Sequence, residues 1–314
     1  MQANMGMAGE FRVVVKRADG STKIDTGYQK NLILNQGLNF FGGGNDSNMM
    51  AYCVIGSGNS QPSYTQNKLD TAITGVTGIT VSTKYDYDAA QDGNLYKTNT
   101  VNKYSFTGLN NVNVSELGLA SAYSNATTYL LCTRALIKDS NGNPTTITVL
   151  SGEVLEIYYK LWAVFDTTDK TGQINLLDGV GGSVAYNWKL RPARVTSVAY
   201  QIAGGRLGAT GNIYSYFHPA DVDLVAITSV PAKGTLYGFV LNPYTINSYK
   251  LVINFNLTID QGDGSIRVIT LITSMGSYQI RFGSVADDSP ITKTNTQTLT
   301  VPIEFSWGRY KGKL

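Results

Sequence analysis

Charge is scarce in this chain. Only 15% of its 314 residues are Asp, Glu, Lys or Arg, and 25 basic against 22 acidic residues leave a formal charge of +3. No run of like charge is long enough to track a phosphate backbone, so nucleic acid is not expected as a partner. Histidine is almost missing: His218 stands alone in YFHPAD, with neither a serine elbow nor a nucleophilic cysteine near it in sequence. That argues against nucleophilic catalysis with a histidine base and leaves His218 as a loop residue without a metal role. Cysteine is limited to Cys53 and Cys132, too few for a disulfide framework, and both sit in apolar runs where Cys acts as a small buried hydrophobe. No apolar run approaches the roughly 20 residues of a membrane span, and Met1 to Gly9 lacks the basic start and apolar centre of a signal peptide. The expectation is a soluble protein made in a reducing cytosol, with no membrane insertion and no cofactor.

What is abundant points to sheet. The chain holds 33 Gly and 20 Tyr, with Asn, Ser and Thr plentiful, the profile of twisted strands joined by many turns. An all-β fold of two antiparallel sandwich-like domains follows, with at most one or two short helices. The expected division is a flexible arm over 1–9, an N-terminal sandwich over 10–168 and a C-terminal sandwich over 169–314, because composition shifts at FDTTDKTGQINLLDGVGGS.

The clearest local signal is YLLCTRALIKDSNGNPTTITVLSGEVLEIYYKLW, Tyr129 to Trp162. Leu155, Ile157, Tyr159 and Leu161 share one parity and Glu156, Tyr158 and Lys160 the other, the period of a half-buried strand. DSNGNP supplies the turn, so a hairpin is expected. Phe11, Val13 and Val15 predict another, turned at Asp19-Gly20. A short helix is expected within Asn31–Phe41, stopped by the glycines that follow, and a second within Gln61–Gly75. In the second half, Val184–Leu190 and Val195–Ile202 read as a strand pair broken at Arg191-Pro192. Leu251, Ile253, Phe255, Leu257 and Ile259 predict a strand that turns at Gln261–Gly264 and returns through Arg267–Ile272. Leu299, Val301, Ile303, Phe305 and Trp307 predict the last strand.

Few residues suggest chemistry. Gly56-x-Gly58 after a strand lacks the third glycine and the lysine–hydroxyl pair of a phosphate loop, so a plain turn suffices. Asp139-x-Asn141-x-Asn143 begins like a calcium loop, but Pro144 and Leu150 stand where glycine and glutamate are needed, and Asp260–Asp263 likewise reads as a turn. Asp86, Asp88, Asp92, Glu116, Glu153 and Glu156 could in principle supply a carboxylate pair for glycoside hydrolysis, but most are expected to be solvated strand-edge and turn residues. Tyr85 with Tyr87, and Tyr214 with Tyr216, place two rings on one strand face, fit to meet a subunit or a host surface glycan or to cover the core. Glu116, Arg134, Lys138 and Glu153 are charges on strands otherwise poor in charge. They should have fixed partners within the domain or across a subunit boundary, and they stand as candidate assembly contacts.

Five motifs in order carry a resemblance. They are N-L-I-x-N-x-G over Asn31–Gly37, I-G-S-G over Ile55–Gly58 with Pro62 behind it, and E-L-G over Glu116–Gly118. The fourth is R-A-L-I-K-D-x-x-G-x-P…I-T-V…E-V-L-E-I-Y-Y over Arg134–Tyr159, and the fifth is P-I-T-K-T…S-W-G-R over Pro290–Arg309. Together they resemble tailed-bacteriophage virion proteins, usually described as tail, tail-fibre or minor structural proteins; Gly204 to Pro243 carries no such motif. The resemblance implies a non-enzymatic structural role in the virion, most simply in the tail or its fibre attachment. The protein would act there as a homo-oligomer in contact with other virion proteins, its N-terminal half anchoring and its C-terminal half outward. A head or collar decoration, a host-glycan-binding module and a surface-polysaccharide hydrolase are the alternatives, and the hydrolase is disfavoured by the lack of a β-helix repeat.

Overall fold

A computed structural model describes residues 1–43, 48–86, 93–178, 181–195, 213–219, 222–232 and 234–314, with the backbone alone for Tyr85 and Asp86. Strand makes up 59% and helix 3%, so the chain is all-β. In order, the elements are β1 (Gln2–Lys16), β2 (Thr22–Ile33), α1 (Asn35–Gly42), β3 (Tyr52–Gly56), β4 (Ala72–Asp86), β5 (Leu95–Phe106), β6 (Val112–Val114), β7 (Glu116–Asn125), β8 (Thr128–Leu131), β9 (Thr133–Leu136), β10 (Ile147–Val149) and β11 (Val154–Asp166). There follow β12 (Lys170–Leu177), β13 (Ser183–Ala193), β14 (Tyr214–His218), β15 (Thr235–Tyr237), β16 (Phe239–Leu241), β17 (Lys250–Leu257), β18 (Gly264–Ile266), β19 (Val268–Thr273), β20 (Gly276–Ser284), β21 (Ile291–Lys293) and β22 (Leu299–Arg309). No described helix is long and apolar enough to cross a membrane.

The sandwich expected for residues 10–168 takes the form of a closed barrel. Eight strands run β11-β5-β4-β3-β7-β9-β2-β1 and return to β11, every neighbouring pair antiparallel. Closure happens because β1 is paired on both edges over the same residues: Gly9–Lys16 meets β2 on one side and β11 on the other. Closing the sheet removes the edges a sandwich would expose, and eight strands leave an interior that side chains can fill. Phe11, Val13, Val15, Leu155, Ile157, Tyr159 and Leu161 all point into that interior and are fully buried, each apolar side chain worth about 1.5–3 kcal/mol of burial.

Several expectations change here. The arm over 1–9 is the first half of β1, with Ala3, Met5 and Met7 buried, and Gln2–Met7 pairs in parallel with Glu304–Arg309 of β22. The last strand of the chain thus joins the first, and through it β17 and β16 extend the same sheet, so a boundary at 168/169 does not separate one sheet from another. The central turn forms as expected, with Asp139 N–H donating to Asn143 O and Gly142 at φ 84°. Its arms pair only next to the turn, through the antiparallel Lys138–Pro144 bridge and the bond from Thr145 N–H to Ile137 O; beyond it β9 is taken by β7 and β2, β10 by β6, and β11 by β1 and β5. In the same way β17 pairs with β16 and β22 rather than returning into β19. No second helix forms within Gln61–Gly75; its turns give way to β4 at Ala72.

Of the remaining strands, six form a second sheet, β12-β13-β20-β19-β14-β15, while β6 with β10 and β18 with β21 make two-stranded ribbons and β8 pairs with β7. β13 passes straight through Arg191-Pro192, which is tolerable because β12 ends opposite Leu190, so the proline faces a ladder on one side only. Residues 196–202 of the expected partner strand lie outside the described residues. This sheet meets β22 through Tyr278 and Phe305, whose rings stand edge to face 5.8 Å apart.

Candidate functional site

Residues of the five motifs meet in two places. At the first, Glu116 opens β7 and Arg134 lies on β9, and neither side chain is exposed. Glu116 Oε1 accepts the N–H groups of Gly58 (3.0 Å) and Thr71 (2.9 Å), and Oε2 accepts Asp70 N–H (3.2 Å) and Arg134 Nε (2.9 Å). Arg134 Nη2 lies 2.8 Å from both Glu116 Oε2 and Asp70 Oδ2, while Nη1 donates to Ser60 Oγ at 3.2 Å. Ser60 N–H and Ser115 Oγ complete the set by donating to Asp70 Oδ2 (2.8 Å) and Gly58 O (2.7 Å). Burial raises the Asp70 carboxyl, but Ser60 and Arg134 outweigh it and hold its pKa below the ordinary carboxylate value. All the acceptor positions of Glu116 are spent on protein donors, so this carboxylate is a fastener tying the two ends of the β3–β4 connection to β7 and β9. A side chain at Gly58 would overlap Glu116 Oε1 and Asp70 Cβ, which is why I-G-S-G needs its last glycine.

At the second place the first and last motifs clasp. Arg309 Nε donates to Ile33 O and Nη2 to Asn35 Oδ1, both at 2.6 Å, and Trp307 Nε1 donates to Leu38 O at 2.7 Å. Tyr159, from the fourth motif, donates its hydroxyl to Asn31 Oδ1 at 2.9 Å. Five segments separated by up to 270 or so residues are thus brought together by side chains that reach backbone or buried polar groups.

The other expected sites fall differently. Glu116 and Arg134 have their partners within the chain, the first of the two alternatives. Glu153 is held by Lys23 (2.8 Å), which lowers its pKa, and it also accepts Leu150 N–H. Lys138 is exposed, and its backbone exchanges two hydrogen bonds with the Gln29 amide. Glu156 pairs with Lys103, while Asp88 and Asp92 lie outside the described residues, as does Tyr87; the side chain of Tyr85 is likewise not described. Tyr214 is exposed and Tyr216 half-buried, on one face of β14 as expected. Cys53 and Cys132 are free, buried thiols whose pKa values burial pushes up, that of Cys132 to about 12.

His218 is not in a loop. It ends β14, is 3% exposed, and its Nε2 lies 3.0 Å from Thr270 Oγ1. Burial pushes its pKa below the ordinary 6.5, so the unfolded chain binds its proton at a higher pH than the folded one. Stability from this group is therefore present above pH 6.5 and lost as pH falls toward the folded pKa. In urea melts at successive pH values, the difference between the wild-type chain and His218→Gln should grow in the variant's favour as pH drops from 7 to 5. A constant difference would show that the imidazole does not titrate on unfolding.

An open cleft of about 680 Å³ lies on the six-stranded sheet, lined by Gln173, Asn187, Lys189, Arg191, Asp223, Arg281 and Asp288 among others. Its cations are matched: Arg191 forks onto Asp169 with two 2.8 Å bonds and lowers that carboxyl, and Arg281 bonds Asp288 and Asp223. Sequence reading missed this cleft because its residues come from strands and loops with no shared spacing. No family model, no curated protein and no solved structure matches this chain.

Proposed function

We propose that this chain is a non-enzymatic structural protein of a bacteriophage virion, placed in the tail or its fibre attachment and working through contacts between copies. The observation that carries the reading is the meeting of the five motifs. They are the residues through which the chain resembles phage virion proteins, and they converge on two clasps, one of them joining β2 and α1 to the last strand of the chain. Residues used in this way hold a shape, which is what an assembly component requires. The C-terminal half is read as a sandwich of the six-stranded sheet against β16, β17 and β22, outward of the barrel. Host-glycan binding is the second reading, favoured by the charge-balanced cleft, whose planar amides and guanidinium groups suit hydroxyl recognition.

Mass spectrometry of purified particles tests the first reading. The chain should be present in them at a stoichiometry comparable with other tail components. Abundance in infected cells together with absence from particles would overturn it.

A further inference from the structure

We propose that β12 is a self-pairing edge, through which two copies of this chain join their six-stranded sheets about a two-fold axis. The inference rests on the assembly reading above and names the surface that one of its contacts uses.

Among the described residues β12 is the longest strand with no strand partner anywhere along one edge: it hydrogen-bonds β13 alone, and no backbone group bonds its outer side. The opposite edge of that sheet, β15, has three residues, whereas β12 has eight. Exposed edges are normally blunted by proline, bulges, inward charges or brevity. KTGQINLL has no proline, its register with β13 runs without a bulge from Lys170↔Leu190 to Leu177↔Ser183, and its one charge is at its start.

Register decides which groups face outward. Asp178 N–H donates to Gly182 O just beyond the strand, so the even-numbered residues exchange bonds with β13. By the alternation of antiparallel ladders, the N–H and C=O groups of Thr171, Gln173, Asn175 and Leu177 then point away from the sheet. A second β12 can pair with these four only if odd residues oppose odd ones. Centring the two-fold on Ile174 does this: Thr171 opposes Leu177 of the other copy, and Gln173 opposes Asn175.

The side chains agree with that register. Ile174 meets its own symmetry mate, Gly172 leaves room opposite Leu176, and the amides of Gln173 and Asn175 lie side by side. Lys170 comes opposite Asp178, an opposite-charge pair at each end. Lys170 already contacts Asp166, and Asp178 already receives Gly182 N–H, but an ammonium has three donors and a carboxylate about four acceptor sites, so both can take a further partner. Leu177, the most exposed large apolar side chain described at 84%, would be covered by Thr171 of the other copy. An isologous, self-complementary patch of this kind fits a second copy of the chain.

The test uses the full chain. Sedimentation across a concentration series should show a reversible dimer. Gln173→Pro and Asn175→Pro each remove an outward donor without touching the β13 ladder, and each should raise the dimer Kd by about tenfold or more at unchanged circular dichroism and melting temperature. Register is read by cysteine: Ile174→Cys places two thiols at a non-hydrogen-bonded pair ~4.5 Å apart between Cα atoms, within disulfide reach. It should give a covalent dimer on a non-reducing gel, whereas Asn175→Cys, offset from its mate, should not. A monomer at every concentration with no Ile174→Cys cross-link overturns the proposal. So does a dimer indifferent to both prolines, which would put the contact on another surface. In either case, presence of the chain in purified particles would leave the virion reading standing.

Discussion

Replacing Arg134 with methionine is expected to cost about 3–5 kcal/mol of folding stability, the largest effect of any single charge removal in this chain. Glu116 is fully buried, and among the described residues the guanidinium is its only cationic partner at ion-pair distance. Three backbone N–H groups would still reach the carboxylate, but its charge would be left buried without a counter-charge. The double variant Glu116→Gln/Arg134→Met should be more stable than Arg134→Met alone, because the amide oxygen keeps part of the N–H set while the stranded charge disappears. Denaturant melts of the four proteins of the cycle measure this directly. If Arg134→Met costs no more than Lys138→Ala, an exposed charge, the clasp contributes nothing to the fold and its meeting of motifs loses its structural meaning.

The faces of the strands were legible in the sequence, and the partners were not. Period-two alternation placed Phe11, Val13 and Val15, then Leu155 to Leu161, then Leu251 to Leu257, then Leu299 to Trp307, and every apolar member of these sets is buried. The exception is Ile259, 47% exposed, because β17 ends at Leu257. Alternation says which side of a strand is apolar and nothing about which strand lies beside it. The Asn141-Gly142 turn is therefore where the sequence puts it, but beyond the Lys138–Pro144 bridge its arms part, β9 to β7 and β2, and β11 to β1 and β5. The Gln2–Gly9 segment hid for a related reason. Ala3, Met5, Met7 and Gly9 do alternate with Gln2, Asn4, Gly6 and Ala8, but the pattern is weak in hydrophobicity, and its partner in β22 lies about 300 residues away. At the clasp, the sequence marked Glu116 and Arg134 as unusual. That they meet required the loops at Gly58 and Asp70, which carry no spacing relation to either.

Gly118, the last residue of E-L-G, carries the second large prediction. It sits in β7 between β3, where it pairs with Val54, and the run of β9 that begins at Thr133. A Cβ added there would overlap the carbonyl oxygen of Thr133 and come within 2.8 Å of Leu131 Cδ1. Backbone cannot swing aside as a flexible side chain can, so the two chains must separate. That separation would strain the bond from Leu119 N–H to Thr133 Oγ1 (2.8 Å) and the bond from Cys132 N–H to Leu119 O (2.7 Å). Overpacking of this kind costs about 1–3 kcal/mol when neighbours can relax, and more when they cannot, so Gly118→Ala should lose ~3 kcal/mol or more. Gly238, between β15 and β16, has nothing within 4 Å of an added Cβ and does not adopt a positive φ. Gly238→Ala should therefore fall within about 0.5 kcal/mol of the parent. Thermal and urea melts of the two variants compare them on one scale. Equal, small losses would mean that β7 and the Thr133 segment are further apart than described, and that the glycine of E-L-G is dispensable. A large loss confined to Gly118→Ala would place a close strand approach of the barrel at the same motif that supplies Glu116 to the clasp.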